Sequence, residues 1–185
     1  MTDTRSKAPD YILLAKQIEA LAEISRDETA VLANASALLY EAMPDVNWAG
    51  FYLVRKDDPE NPGGSSALIV GPFQGKPACV RIEMGRGVCG TAWEKDETQL
   101  VADVHEFPGH IACDSASNSE IVIPLHRKAQ AADSKSGKER GAFPEEHGGI
   151  FGVLDIDSPE FGRFTEADAE GLRAFAETLE EILGR

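Results

Sequence analysis

Three apolar runs of strand character, Trp48–Val54, Ile121–Leu125 and Ile150–Ile156, lie between amphipathic segments at the two ends of the chain. That order constrains the fold more than any other feature. The runs are rich in β-branched and aromatic residues, as sheet strands are. Before them, Tyr11, Leu14, Ile18, Leu21 and Ala22 recur at helical spacing. A second helix is expected from Asp27 to Met43, with Val31, Leu32, Ala35, Leu38, Leu39 and Ala42 on one side, Asp27 as N-cap and Pro44 as the stop. After the last strand, Thr165 with Glu166 and Asp168 reads as a capping sequence. It opens a helix whose apolar face is Leu172, Phe175, Ala176, Leu179 and Ile182.

Shorter elements fill the middle. Ala67–Val70 and Ala78–Ile82 read as strands separated by a loop over Gly71–Pro77, and Cys79 falls on the second of them. Gly85–Gly87 turns into a short helix, Val88–Lys95, with Cys89 in its first turn, and Gln99–Ala102 is a further strand. Asp103–Ser119 is polar and irregular and carries Cys113. Residues 1–9 read as a flexible arm. Residues 127–148, polar and without periodicity, read as an inserted surface loop. Together these predict a mostly antiparallel sheet with helices packed on its faces, and inter-strand loops that form a pocket.

A chain of 185 residues, 42% hydrophobic and 27% charged, suits one ordinary globular domain. No apolar run is long enough for a membrane span, and the polar N-terminus has no signal-peptide core. A net charge of -14 repels phosphate backbones, so no nucleic-acid partner is expected. Three cysteines cannot all pair within the chain, which favours a reducing, cytoplasmic compartment. Their spacings, 10 and then 24 residues with no CxxC, match no usual zinc ligand set, so no metal is expected.

The candidate chemistry sits between Gly71 and Leu125, with one acidic pair near the end. Cys89, near a helix N-terminus, is placed where the dipole favours a thiolate. Single cysteines are often only small buried residues. Three within 35 residues, each beside a Gly- or Ser-rich turn, point to two acting together. One would attack and become a sulfenic acid; the other would resolve it as a disulfide. Asp155 and Asp157, two apart at a strand end, share one face, and Glu120 opens another strand. Such acids bind an ammonium or donate protons if their pKa is raised. Trp48 and Tyr52 share a strand face across Gly50. They could hold a methyl or thioether group; on pattern alone, core packing is the simpler reading. His110 is the one histidine close in sequence to a cysteine.

The segments NWAGFYLV, GPFQGKPAC, RIEMGRGVCGTAW, DVHEFPGHIACDSASNSEIVIPL and GVLDIDSPEFGRFTEAD resemble the free methionine-(R)-sulfoxide reductases, which are built on a GAF domain. The resemblance runs from about Asn47 to the end, apart from the insertion. It implies a single α+β GAF-like domain over residues 1–185, with a six-stranded antiparallel sheet and helices on both faces. It implies reduction of free methionine-(R)-sulfoxide with thioredoxin as reductant, no other cofactor, and pairing as a homodimer. Cys113 would attack, Cys79 would resolve, and Cys89 would be an auxiliary partner. Trp48 and Tyr52 would form the methyl-binding wall, and Glu120, Asp155 and Asp157 would line the pocket. His110, Ile111 and Ala112 precede the attacking cysteine and would border the substrate, whose carboxylate would meet backbone N–H groups of that loop. The alternative is a GAF-type small-molecule or redox sensor that turns nothing over.

Overall fold

The computed structural model describes residues 9–56, 66–110, 115–127 and 149–184. Helices α1 (Tyr11–Ala22) and α2 (Glu28–Ala42) come first, followed by strands β1 (Trp48–Lys56), β2 (Ser66–Gly75) and β3 (Arg81–Ile82). Helix α3 (Gly87–Lys95), strand β4 (Gln99–Val101) and a 3-10 turn (Val104–Glu106) lead to β5 (Ser119–His126), β6 (Ile150–Ser158) and α4 (Glu166–Leu183). The six strands form one sheet in the order β3-β2-β1-β6-β5-β4, and every pairing is antiparallel. No helix among the described residues is long and apolar enough to cross a membrane.

Strand alternation divides the interior into two cores. Ala49, Phe51 and Leu53 of β1, Ile121, Ile123 and Leu125 of β5, and Leu154 and Ile156 of β6 face α1, α2 and α4. Trp48, Tyr52 and Val54, with Val122 and Val153, face the opposite way and pack with Cys89, Ala92 and Trp93 of α3. The three longer helices therefore support the sheet on one face, while α3 lies over the other.

Local sequence explains the helix ends. Asp27 caps α2 by accepting from the Ala30 N–H at 3.0 Å. Thr165 and Asp168 form a reciprocal capping box at the start of α4. The free Asp168 oxygen, Oδ1, accepts from the Tyr11 hydroxyl at 2.7 Å, which ties α1 to α4. Burial would raise the Asp168 pKa, but donors from Tyr11 and Thr165 and the Arg163 charge hold it below its ordinary value.

Three expectations need correction. Gly71–Gly75 is not loop but the second half of β2, because a bulge opposite Gly50 to Tyr52 absorbs Gly71 and Pro72. A proline has no ladder N–H to lose there, and its carbonyl instead accepts from the Ser36 hydroxyl at 3.0 Å. Ala78–Ile82 is strand only at Arg81–Ile82, so Cys79 sits on the connection before β3. Leu21, counted on the buried face of α1, is 41% exposed. The Arg127 N–H donates to the Gly149 carbonyl at 2.9 Å, at the base of the predicted insertion; residues 128–148 themselves, like most of the expected N-terminal arm, lie outside the described residues.

Candidate active site

Sheet register assembles the site. On β1, Trp48 stands opposite Asp157 of β6, and Gly50 opposite Asp155. On the far side of β6, Glu120 of β5 pairs with Asp157, and Val122 with Asp155. Opposed residues of antiparallel strands share a face, so Trp48, Tyr52, Asp155, Asp157 and Glu120 all point toward α3. They line one pocket with Cys89, His110, Arg86, Gly87, Val88, Ile82, Ser117, Pro77 and Ala78. The pocket encloses about 540 Å³, its mouth included.

The aromatic wall is tighter than a pair of rings across a gap. Trp48 stacks on Tyr52 at 5.7 Å between centroids, and on Phe73 of β2 at 5.2 Å. The space left by Gly50 is filled by these rings: a Cβ there would lie 2.8 Å from the Trp48 ring. Phe73 is a support that sequence reading missed, because Gly71 and Pro72 disguised its strand. Arg86 and Ser117 were not singled out either, although both lie inside the segments that carry the family resemblance. Ser117 accepts from the Asn47 side-chain amide at 3.0 Å.

The floor of the pocket is acidic and dry. Glu120 is 7% exposed and Asp155 5% exposed, so neither is a solvated turn acid. Burial, then the neighbouring Asp155 and Asp157 carboxylates, push Glu120 well above the usual carboxylate range. Burial also raises Asp155 to about 7, against the lowering effect of hydrogen bonds with Cys89 and Glu120. One carboxyl oxygen of Asp155 has no hydrogen-bond partner among the described residues. Burial thus favours the protonated form of Glu120, and Asp155 titrates at about 7. The Tyr52 phenol is held protonated, by burial first and then by Asp155.

The Cys89 Sγ lies 3.8 Å from Glu120 Oε1. The expectation of a dipole-stabilised thiolate at Cys89 fails. Burial, then the charges of Asp155, Glu120 and Asp157, raise its thiol well above the ordinary value, and outweigh a helix end. Cys89 is a free thiol, whereas Cys79, on the half-buried connection flanking the pocket, is half of a disulfide. Cys113, Ile111 and Ala112 lie outside the described residues. His110 lines the pocket, with its imidazole pKa lowered by burial and by His105, whose ring lies 6.3 Å away. Ligand atoms of Cys89, Glu120 and Asp155 lie within 4.8 Å of one another, the closest the described residues come to a metal-ligand set. A cation there would have to displace protons that burial holds in place.

A buried antiparallel sheet with three helices behind it, and a pocket under a short helix in front, defines the class. The chain belongs to the GAF-domain family, whose model matches residues 18–183, and within it to the free methionine-R-sulfoxide reductases. It is 48% identical to the free methionine-R-sulfoxide reductase of Escherichia coli, over 96% of this chain and 91% of that one. It is 50% identical to protein YtsP of Bacillus subtilis, over 97% and 94%. The reduced form of the Staphylococcus aureus fRMsr superposes with a TM-score of 0.76 at 43% identity, covering 95% of this chain and 96% of that one. The Neisseria meningitidis free methionine-R-sulfoxide reductase in complex with its substrate gives 0.74 at 41% identity, covering 94% and 87%.

Proposed function

We propose that this protein reduces free methionine-(R)-sulfoxide to methionine, with Cys113 attacking, Cys79 resolving and thioredoxin restoring both thiols. The observation that carries the reading is the buried Glu120 and Asp155 pair beneath the Trp48 and Tyr52 wall, both carboxyls raised by burial, in a pocket flanked by an oxidised Cys79. The names of the Escherichia coli and Saccharomyces cerevisiae relatives, both free methionine-R-sulfoxide reductases, support the reduction itself, the latter 41% identical over 80% of this chain and 71% of that one.

The chemistry follows from these groups. The Cys113 sulfur attacks the sulfoxide sulfur, and the S–O bond is cleaved as the oxygen passes to Cys113. The developing negative charge on that oxygen is met by a proton from the acidic pair, Asp155 near neutrality and Glu120 as its reservoir. Methionine leaves with its sulfur reduced by two electrons, and Cys113 becomes a sulfenic acid. The Cys79 thiol condenses with it, forming the disulfide and releasing water. Thioredoxin, a dithiol, then takes up the oxidation by exchange. With three cysteines in the chain and Cys89 reduced, this reading pairs Cys79 with Cys113.

Trp48 and Tyr52 pack the substrate methyl group, and Asp157 at the strand end attracts its ammonium. A pocket that grips a free ammonium and a free carboxylate excludes the sulfoxide of an intact protein, where both are amides. Recycling by thioredoxin fits the reducing, cytoplasmic setting expected from the cysteine count.

The test is a thioredoxin-coupled NADPH assay with separated R and S diastereomers. Turnover of the free R form alone, abolished in Cys113→Ser, is expected. No turnover at millimolar substrate would favour a sensor. In Cys79→Ser a single turnover survives while recycling slows; equal loss in both phases removes Cys79 from the resolving role.

A further inference from the structure

Of the two described cysteines, Cys89 is the one whose surroundings do not suit redox exchange. It is buried under α3, lies 3.8 Å from Glu120 Oε1, and remains a thiol while Cys79 is oxidised. We propose that Cys89 is a positioning residue, a neutral S–H donor that holds the Glu120 and Asp155 carboxyls together as one proton-donating unit, rather than a spare resolving thiol. The inference rests on the reductase reading and assigns Cys89 a different place in it from the auxiliary partner that the family resemblance implied.

Three observations meet here. The Cys89 sulfur and a carboxyl oxygen from each acid lie within 4.8 Å of one another, all buried. One Asp155 oxygen is buried with no partner among the described residues, and so is open to a proton or a substrate oxygen. The sheet fixes both acids, Glu120 opposite Asp157 and Asp155 opposite Val122, a hydrogen bond joins them directly, and the S–H from α3 is a further donor on the pair. A thiol suits the position physically. It is small and apolar enough for the core under α3, yet still donates weakly.

The direction of its effect is fixed. A donor stabilises the carboxylate form, and the hydrogen bond with Cys89 lowers both acids against burial. Removing it raises the pH at which the acid pair loses its proton. Among the described residues, the other titratable groups facing the cluster are Tyr52 on β1 and Asp157 on β6, with His110 and Arg86 on the same pocket. None of them changes in the variants below.

The experiment is the pH profile of single-turnover reduction in wild type, Cys89→Ser and Cys89→Ala, with melting curves as a folding check. A proton donor gives an activity that falls on the alkaline side. In Cys89→Ala that limb moves up by about half a pH unit or more, a threefold change in proton affinity. In Cys89→Ser, which keeps a donor, the limb stays near its wild-type position. Coincident profiles for alanine and wild type overturn the proposal, as does an equal shift in serine and alanine. A second measurement needs no variant: wild-type protein is oxidised with excess substrate, denatured and alkylated. Cys89 is expected to be labelled as a free thiol; a disulfide to Cys89 sinks the proposal. Absence of wild-type turnover would instead sink the reductase reading, so the two failures are distinct.

Discussion

Gly50 on β1 lies so close to Phe73 on β2 that a Cβ added to the glycine would come within 2.3 Å of the Phe73 Cβ. The same Cβ would press on the Trp48 ring at 2.8 Å. Gly50→Ala therefore displaces the stacked wall as well as a strand pairing. It should lose about 1 to 3 kcal/mol of stability from overpacking. It should also lower kcat/KM more than ten-fold, on the order of 1.4 kcal/mol or above. Chemical denaturation and the coupled assay measure both; a wild-type kcat/KM would show that the wall does not contact substrate.

Asp155→Asn separates proton donation from shape. The carboxamide replaces a buried acid of nearly the same volume but cannot donate a proton to the sulfoxide oxygen in the same way, so the rate should fall about 100-fold. Stability should move the other way. The folded pKa of Asp155 is raised from 3.8 to about 7, so the folded state binds the proton more tightly. Its penalty is absent below the unfolded value, grows as pH rises from 3.8, and levels off above about 7. The variant should therefore gain more in melting temperature at alkaline than at acidic pH. A uniform gain or loss across pH would contradict the buried-acid assignment.

His126 closes β5 at the end away from the pocket. It bridges Asp96 at 2.7 Å and Glu180 at 3.2 Å. The Glu180 hydrogen bond first, then Asp96, raise its pKa from 6.5 to about 9 against a lowering by burial. The stabilisation is fully present below the unfolded value of 6.5 and is lost as pH rises through about 9. The ring is partly solvated, so screening keeps the effect modest. His126→Gln should lower the melting temperature at pH 6 and leave it nearly unchanged above pH 10. Equal losses at both pH values would mean that the imidazolium is not the stabilising form.

Asp168 serves the α4 cap and the Tyr11 hydroxyl at once. Asp168→Ala removes a cap worth about 0.5 to 2 kcal/mol and leaves a buried hydroxyl unpaired, about 1 to 3 kcal/mol more. The depressed pKa means that this stability is present above 3.8 and fades as pH falls through the lowered folded value. Melting of the variant should fall by about 2–4 °C for each kcal/mol lost, with Tyr11→Phe a milder version. A neutral Asp168→Ala would show that α1 and α4 dock without this bridge.

The helices and the three apolar strands were legible because each carries its own period and cap: Asp27, the Thr165–Asp168 box, and the Leu172 to Ile182 face read directly. The second half of β2 was not, since Gly71 and Pro72 imitate a loop and only the neighbouring strand reveals the bulge. The acids and a raised pKa were anticipated from their clustering, but the burial that is the larger cause was not. Nothing in the order of residues says that β6 lies between β1 and β5, and it is this arrangement that dries Glu120 and Asp155. Cys89 misled for the same reason: a local rule about helix ends gave the wrong sign once burial and three nearby carboxyls were added. The comparisons settle the family, and the GAF sheet was anticipated by resemblance as well as by pattern.

The division of the interior into two cores has a practical corollary. Engineers wanting a hardier version can rework the packing of α1, α2 and α4 against Phe51, Ile123 and Leu154 while the opposite surface keeps its chemistry. Substitutions behind the sheet should alter how long the molecule survives heat, and those in front how fast and on what it acts.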